Sequence, residues 1–283
     1  MSDQTIKIMS FNVNGLRARL DQLKAVIDQH QPDFIGLQET KVSNEEFPHT
    51  EIQALGYQAD IHGQKGHYGV ALLSKQSPLS KGPLSKSPLS IACGFPSDTA
   101  DSQCRMIHGR YQFNNKTLNL INCYFPQGES RAHPTKFPAK QQFYANLLAY
   151  LDNNFQRDDL VLVMGDMNVA YRDADVGIKP ENAKRWLKTG KCAFLPEERE
   201  WLQALLNWGL IDSFRADNPD DAQTFSWFDY RSRGFEQVPK RGLRIDLILA
   251  SASACLADSG IDLDARGHQK PSDHCPIWVN LNL

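Results

Sequence analysis

Seven short apolar or alternating runs punctuate this chain: Ile6 to Phe11, Asp33 to Leu37, Gly69 to Leu73, Thr117 to Phe125, Leu160 to Met164, Leu243 to Ala250 and Pro276 to Leu283. Runs of this length, bounded by Gly, Pro and polar residues, read as strands, and strands commit the chain to sheets whose apolar faces must be covered. Helical patterns lie between some of them. Leu20, Leu23, Val26 and Ile27 share one face, with Pro32 as a stop signal. A second helix is expected from near Pro138, turning Phe143, Leu147, Leu148 and Leu151 inward. A third opens at Pro196, places Glu197, Glu198 and Glu200 where the helix dipole favours acids, and has Gly209 as its expected C-terminal cap. Strands and helices mixed at irregular spacing predict an α/β layered sandwich rather than a regular βαβ array. With 283 residues and no Pro/Gly/Ser linker, residues 1–283 read as one domain with a substantial core.

Composition excludes several classes. The 31 basic and 33 acidic residues leave a net charge of −2, so no global positive field attracts a polyanion, and any nucleic-acid contact has to be local. Cys93, Cys104, Cys123, Cys192, Cys255 and Cys275 form no CxxC pair, which argues against structural zinc. No stretch reads as a signal peptide or membrane span, so a cytoplasmic protein without a membrane partner is expected. The segment Ser77 to Ser90 repeats Pro-Leu-Ser three times; proline at that density opposes an interior strand and predicts an exposed loop or a sheet edge.

Four polar clusters stand beside the apolar runs: Ser10-Phe11-Asn12-Val13-Asn14-Gly15, Leu37-Gln38-Glu39-Thr40, Gly165-Asp166-Met167-Asn168 and Pro271-Ser272-Asp273-His274. Acids and amides just past strand ends are well placed to hold a hard cation and a water, which makes a metal-assisted hydrolase the first hypothesis. Magnesium is satisfied by one or two carboxylates and waters, and Glu39 and Asp273 are the best ligand candidates. Taken singly, Glu39 also fits a surface glutamate ending a strand, and Asp166-Met167-Asn168 also fits an Asx turn. An imidazole such as His274 can hydrogen-bond a water or a phosphoryl oxygen, and Asp246 is its candidate orienter. Asp246 sits inside an apolar run, where an ionised carboxylate is costly without a partner; Arg244 is the alternative partner.

The four clusters, together with Tyr124-Phe125-Pro126-Gln127-Gly128-Glu129-Ser130 and Leu243-Arg244-Ile245-Asp246, occur in an order that resembles the endonuclease/exonuclease/phosphatase superfamily. Longer blocks narrow the resemblance to its exonuclease III branch: residues 62–70, Lys184 to Cys192, Leu195 to Trp201 and Phe225 to Arg231. The likeness spans essentially the whole chain. It implies a four-layered sandwich of two packed mixed β-sheets flanked by helices. It also implies a monomeric DNA-repair enzyme acting on duplex DNA: cutting 5′ to abasic sites, digesting 3′→5′, and removing 3′ phosphates and other blocked 3′ ends. The implied cofactor is Mg2+, with Mn2+ as a substitute, as one ion or two. Carried over motif by motif, Glu39 is the central metal ligand, with Asn12, Asp273, Asp166 and Asn168 around it. Asp166 and Asn168 meet the attacking water or the scissile phosphate, Tyr124 sits against the phosphate, and Asp246 orients His274.

The resemblance puts Arg105, Gln127 and Lys136 near DNA, and the aromatic pair Trp227 and Phe228 where an abasic sugar is sensed. Composition alone favours buried core for either ring. Arg17, Arg19, Lys184, Arg185, Lys188, Lys191, Arg231, Arg233, Arg241 and Arg244 are basic residues able to meet phosphates, or equally a solvated face. Cys275, beside the Asp-His pair, is either an oxidation-sensitive thiol or a small buried residue. Two other readings stand beside this one: another phosphoesterase of the superfamily, such as a nonspecific nuclease or an inositol-phosphate phosphatase, would share Glu39, Asp166, Asn168, Asp246 and His274, whereas a noncatalytic DNA-binding protein on the same fold would be expected to lack at least one of them, and none is missing.

Overall fold

A computed structural model describes residues 5–75, 88–113 and 116–282. In chain order its strands are β1 (Thr5–Asn12), β2 (Phe34–Gln38), β3 (Tyr57–His62), β4 (Val70–Lys75), β5 (Ser90–Cys93), β6 (Met106–Phe113), β7 (Lys116–Tyr124), β8 (Leu160–Asp166), β9 (Leu210–Asp212), β10 (Asp246–Ser251), β11 (Leu256–Ile261) and β12 (Ile277–Asn282). The helices are α1 (Leu20–His30), α2 (His49–Ala54), α3 (Lys136–Asn154), α4 (Pro180–Thr189), α5 (Pro196–Asn207) and α6 (Ser213–Asp217). Most of the Pro-Leu-Ser segment lies outside the described residues; its last residue, Ser90, opens β5 at a sheet edge.

The strands form two mixed six-stranded sheets, ordered β11-β12-β1-β2-β4-β3 and β9-β10-β8-β7-β6-β5. Alternation along β1 shows how they pack. Ile6 and Ile8 meet Leu118, Leu120, Leu162 and Met164 of the other sheet, whereas Met9 and Phe11 pack outward beneath Leu23, Val26 and Ile27 of α1. On the opposite side, Phe143, Leu147 and Leu151 of α3 and Leu202 and Leu205 of α5 cover Ile121, Val161 and Val163. The result is a helix, sheet, sheet, helix sandwich. Helix α1 stops where the sequence marks it, with Gln31 left-handed at φ 48 before Pro32. Pro196 opens α5, but Trp208 closes it, and Gly209 follows at φ 115.

The two sheets repeat one pairing pattern, and that repeat builds the site. Among the described residues each has a single parallel pair, β1 with β2 and β8 with β7, and the other pairings are antiparallel. The carboxyl ends of these four strands deliver Asn12, Glu39, Asp166 and Tyr124. The antiparallel partners begin there: Asp246, first in β10, pairs with Asp166, and Ile277 of β12 pairs with Ser10, just after His274. Asp246 therefore opens its strand instead of interrupting it, because Leu243 leaves the sheet to bridge Val176 and Trp227.

Candidate active site

Local backbone turns aim the site residues. Glu39 and Asn168 both adopt left-handed conformations, φ 50 and φ 54, just beyond β2 and β8, an uncommon choice for non-glycine residues that the surrounding contacts must sustain. Gly165, at φ 141, has no alternative, since a Cβ there would lie 1.9 Å from the Cys123 carbonyl oxygen on β7. These turns bring together a side chain from each end of the chain. Asn12 Nδ2 donates to Glu39 Oε1 at 3.1 Å and to Asp166 Oδ2 at 3.0 Å. His274 Nδ1 lies 2.9 Å from Asp246 Oδ2, and its Nε2 lies 3.7 Å from Asp166 Oδ2. Asp246 thus engages the imidazole at Nδ1, and Ser226 Oγ donates to the same carboxylate at 2.6 Å. Arg244, the alternative partner, is buried instead between Asp175 and Asp212, at 2.8 and 2.6 Å.

Burial and charge set the protonation states. Desolvation, reinforced by the Asp246 and Glu39 carboxylates and opposed by His274, raises Asp166 to about 7. Burial alone would lower His274, but Asp246 and Asp166 outweigh it and raise the imidazole to about 10. The Tyr124 phenol is pushed well above its usual range, first by burial and then by Glu39 and Asp166, and stays a proton donor. Arg105 lies between the Tyr68 and Tyr124 rings, 4.5 and 4.7 Å from their centroids, and its Nη1 donates to the Tyr124 carbonyl.

Glu39, Tyr124, Asp166 and His274 form the floor of a cleft of about 510 Å³, lined also by Gln127, Asn168, Trp227, Asp273 and the cations Arg185, Lys191, Arg231 and Arg241. Several expected contacts lie elsewhere. Phe228 is fully buried against Phe225, Phe235 and Cys275, because it points to the core side when Trp227 points to the cleft. Cys275 belongs to the same buried cluster. Arg244 is only 1% exposed, so it belongs to an internal ion cluster and not to a surface that could meet DNA. Lys136 is exposed outside the cleft and paired with Glu129 at 2.6 Å. Arg17 and Arg233 pair with Glu46 and Glu236, and Lys184 and Lys188 are exposed on α4 away from the cleft lining. Residues that sequence reading missed complete the site: Lys41 Nζ stands 2.9 Å from Glu39 Oε2, and Ser272 Oγ donates to the Asn12 carbonyl at 2.7 Å. A lysine and a serine carry no sequence signal that separates such roles from solvation.

The model of the Endonuclease/Exonuclease/phosphatase family matches residues 9–274. The chain belongs to this family. A Haemophilus influenzae protein named exodeoxyribonuclease III is 55% identical across 98% of this chain and 100% of its own length. Among solved structures, the Neisseria 3′ phosphatase NExo bound to a product DNA hairpin superposes with a TM-score of 0.85 at 34% identity, covering 98% of this chain and 100% of that one. An AP endonuclease from Archaeoglobus fulgidus matches equally, TM-score 0.85 at 30% identity, with the same coverage. The two mixed sheets flanked by helices are the architecture of the Endonuclease/Exonuclease/phosphatase family.

That family uses a metal, and the donor set here fits one. Ligand atoms of Glu39, Asp166 and His274 lie within 4.8 Å of one another. With the His274 ring engaged at Nδ1 by Asp246, the two carboxylates present a hard oxygen set that suits a small divalent cation better than the thiolate-rich sets zinc prefers. Lys41 already places a cation against Glu39. Asn12 directs its amide hydrogens to both carboxylates, and its Oδ1 accepts the Asn14 N–H at 3.0 Å, so it ties the two acids together. Asp273 stands at the cleft wall with both oxygens engaged, by Asn14 Nδ2 at 2.8 Å and Trp227 Nε1 at 3.0 Å.

Proposed function

We propose that this chain is a metal-dependent DNA-repair nuclease of the exonuclease III type, which hydrolyses phosphodiester bonds 5′ to abasic sites in duplex DNA and trims or unblocks 3′ ends. The observation that carries the reading is the meeting of Glu39, Asp166 and His274 within 4.8 Å at the base of a cleft whose wall holds Arg185, Lys191, Arg231 and Arg241. The names of the relatives, an exodeoxyribonuclease, a 3′ phosphatase and an AP endonuclease, support it. The cleft is complete within one chain, which supports action as a monomer; the reading includes a cytoplasmic location.

Magnesium, or manganese in its place, would be held by Glu39 and Asp166 and would neutralise charge on the phosphoryl oxygens. The protein's own groups do the rest. His274, protonated and fixed through Nδ1 by Asp246, presents Nε2–H to a phosphoryl oxygen. Asp166, whose Oδ1 is held by the Asn168 N–H at 3.0 Å, takes the proton of the attacking water, which Asn168 helps to aim. Tyr124, on β7 and paired in register with Asp166 of the neighbouring strand β8, donates to the phosphate. Trp227, with Leu243 and Ile245, offers an apolar wall to a sugar that lacks its base; such a residue is cheaper to extrude than a paired nucleotide.

A duplex oligonucleotide carrying one abasic site tests the reading. Nicking 5′ to the site should stop with chelator and return with added Mg2+ or Mn2+. Glu39→Gln should fold and lose on the order of 100-fold or more. Nicking that survives both chelator and this substitution would refute metal dependence, and hydrolysis of inositol phosphates without DNA cleavage would move the chain to the phosphatase reading.

A further inference from the structure

Lys140 and Glu198 form an ion pair, 2.5 Å between Nζ and Oε1, in which neither side chain has any solvent exposure. Lys140 comes from α3 and Glu198 from α5, and neither touches the reacting groups. Their hydrogen bonds to backbone reach the loops of the cleft and the start of α5. Lys140 Nζ donates to the Asn168 carbonyl at 2.8 Å and to the Gln127 carbonyl at 3.4 Å, so its three hydrogens have three acceptors. Glu198 Oε2 accepts the N–H groups of Ala193 and Leu195, both at 2.8 Å. Gln127, Asn168 and Ala193 all line the catalytic cleft, and each belongs to a different loop.

A buried ion pair is a weak source of stability, because desolvation cancels most of the attraction and apolar replacements of similar volume are often neutral. Its geometry here points to another role. Asn168 is held at φ 54, a conformation that costs free energy and needs outside support, and its carbonyl is the shortest of the ammonium's two backbone contacts. We propose that Lys140 and Glu198 are positioning residues: one buried charge pair sets the relative placement of the three loops that carry Gln127, Asn168 and Ala193, and Lys140 acts on the reaction through Asn168. The second half of this statement rests on the nuclease reading above; the first does not.

Two measurements test it. Hydrogen exchange needs no substrate: in Lys140→Met, and in the double variant Lys140→Met/Glu198→Leu, protection should fall together around residues 127–129, 168–170 and 192–195 while β7 and β8 stay protected. The double variant removes both charges, so it keeps the test open should the single variant leave Glu198 unpaired and fail to fold. Unchanged exchange in those loops would overturn the positioning role whatever reaction the protein performs. Cleavage of the abasic duplex then tests the route. Either variant should lower kcat by on the order of 10- to 100-fold with little change in KM. Adding Asn168→Ala should produce no further loss beyond Asn168→Ala alone. A folded double variant with wild-type kcat, or losses that multiply with Asn168→Ala, would show that the pair does not act through Asn168.

Discussion

At the scale of single residues, Asp246 and His274 behave as one device. The carboxylate has both oxygens within 3.0 Å of Nδ1, and the Ser226 hydroxyl fixes its second direction of approach. Removing the acid frees the ring to turn, and removing the ring leaves the acid without an object. Asp246→Asn and His274→Asn should each lower kcat/KM on the order of 100- to 10,000-fold, and the double variant should match the worse single one. Losses that add fully in free energy would mean that the two act separately. The pair was legible in sequence because a carboxylate among apolar neighbours must have a partner. Its supports were not: Ser226 and Ser272 are ordinary serines beside aromatic or charged residues, and Lys140, in a polar stretch of helix, looks like any solvated lysine. Trp227 and Phe228 show a sharper limit, since two adjacent rings with the same composition signal take opposite faces, one to the cleft and one to the core.

Among the elements, the strands that read cleanly from sequence are those covered on both sides, such as β1 and β8, because both faces must then be apolar. Edge strands β5, β9 and β11 are short or half polar and carry no such run. Helix α4 buries no residue, so its pattern reads only as a basic block. Strand β6 was missed for a different reason: it carries His108, a polar residue that is nevertheless 5% exposed, bonded to Tyr150 of α3 at 2.9 Å and to Asn119 at 3.3 Å. Burial lowers this histidine from 6.5 to about 4, so it is neutral in the fold. Between those values the unfolded chain binds the proton and the folded chain does not. Stability is therefore full above the unfolded value and declines as pH falls toward the folded one. Urea unfolding should show wild type losing about 2 kcal/mol between pH 6.5 and 5 from this residue, a component that His108→Gln lacks. Equal pH slopes in the two proteins would mean that the histidine is charged, or unimportant, in the folded state.

For the molecule as a whole, function follows from where charge is put, since the total of −2 gives none away. Two sheets with the same pairing order bring their strand ends to one edge of the sandwich, where the acids collect on the floor and Arg185, Lys191, Arg231 and Arg241 on the wall. DNA entering this cleft meets its phosphates with about four cations, and each neutralised phosphate releases condensed counterions. The affinity for duplex DNA, measured in chelator so that no cleavage occurs, should then fall with a log–log salt slope of roughly −3 to −4. Arg185→Ala with Lys191→Ala should reduce the magnitude of that slope by about 2, whereas Lys188→Ala, on the same helix as Arg185 but away from the cleft, should leave it nearly unchanged. The contrast separates the two meanings that a basic block has in sequence. A slope insensitive to the cleft pair, or equally sensitive to Lys188, would mean that DNA does not lie along this wall and that the basic residues of α4 serve as a solvated face.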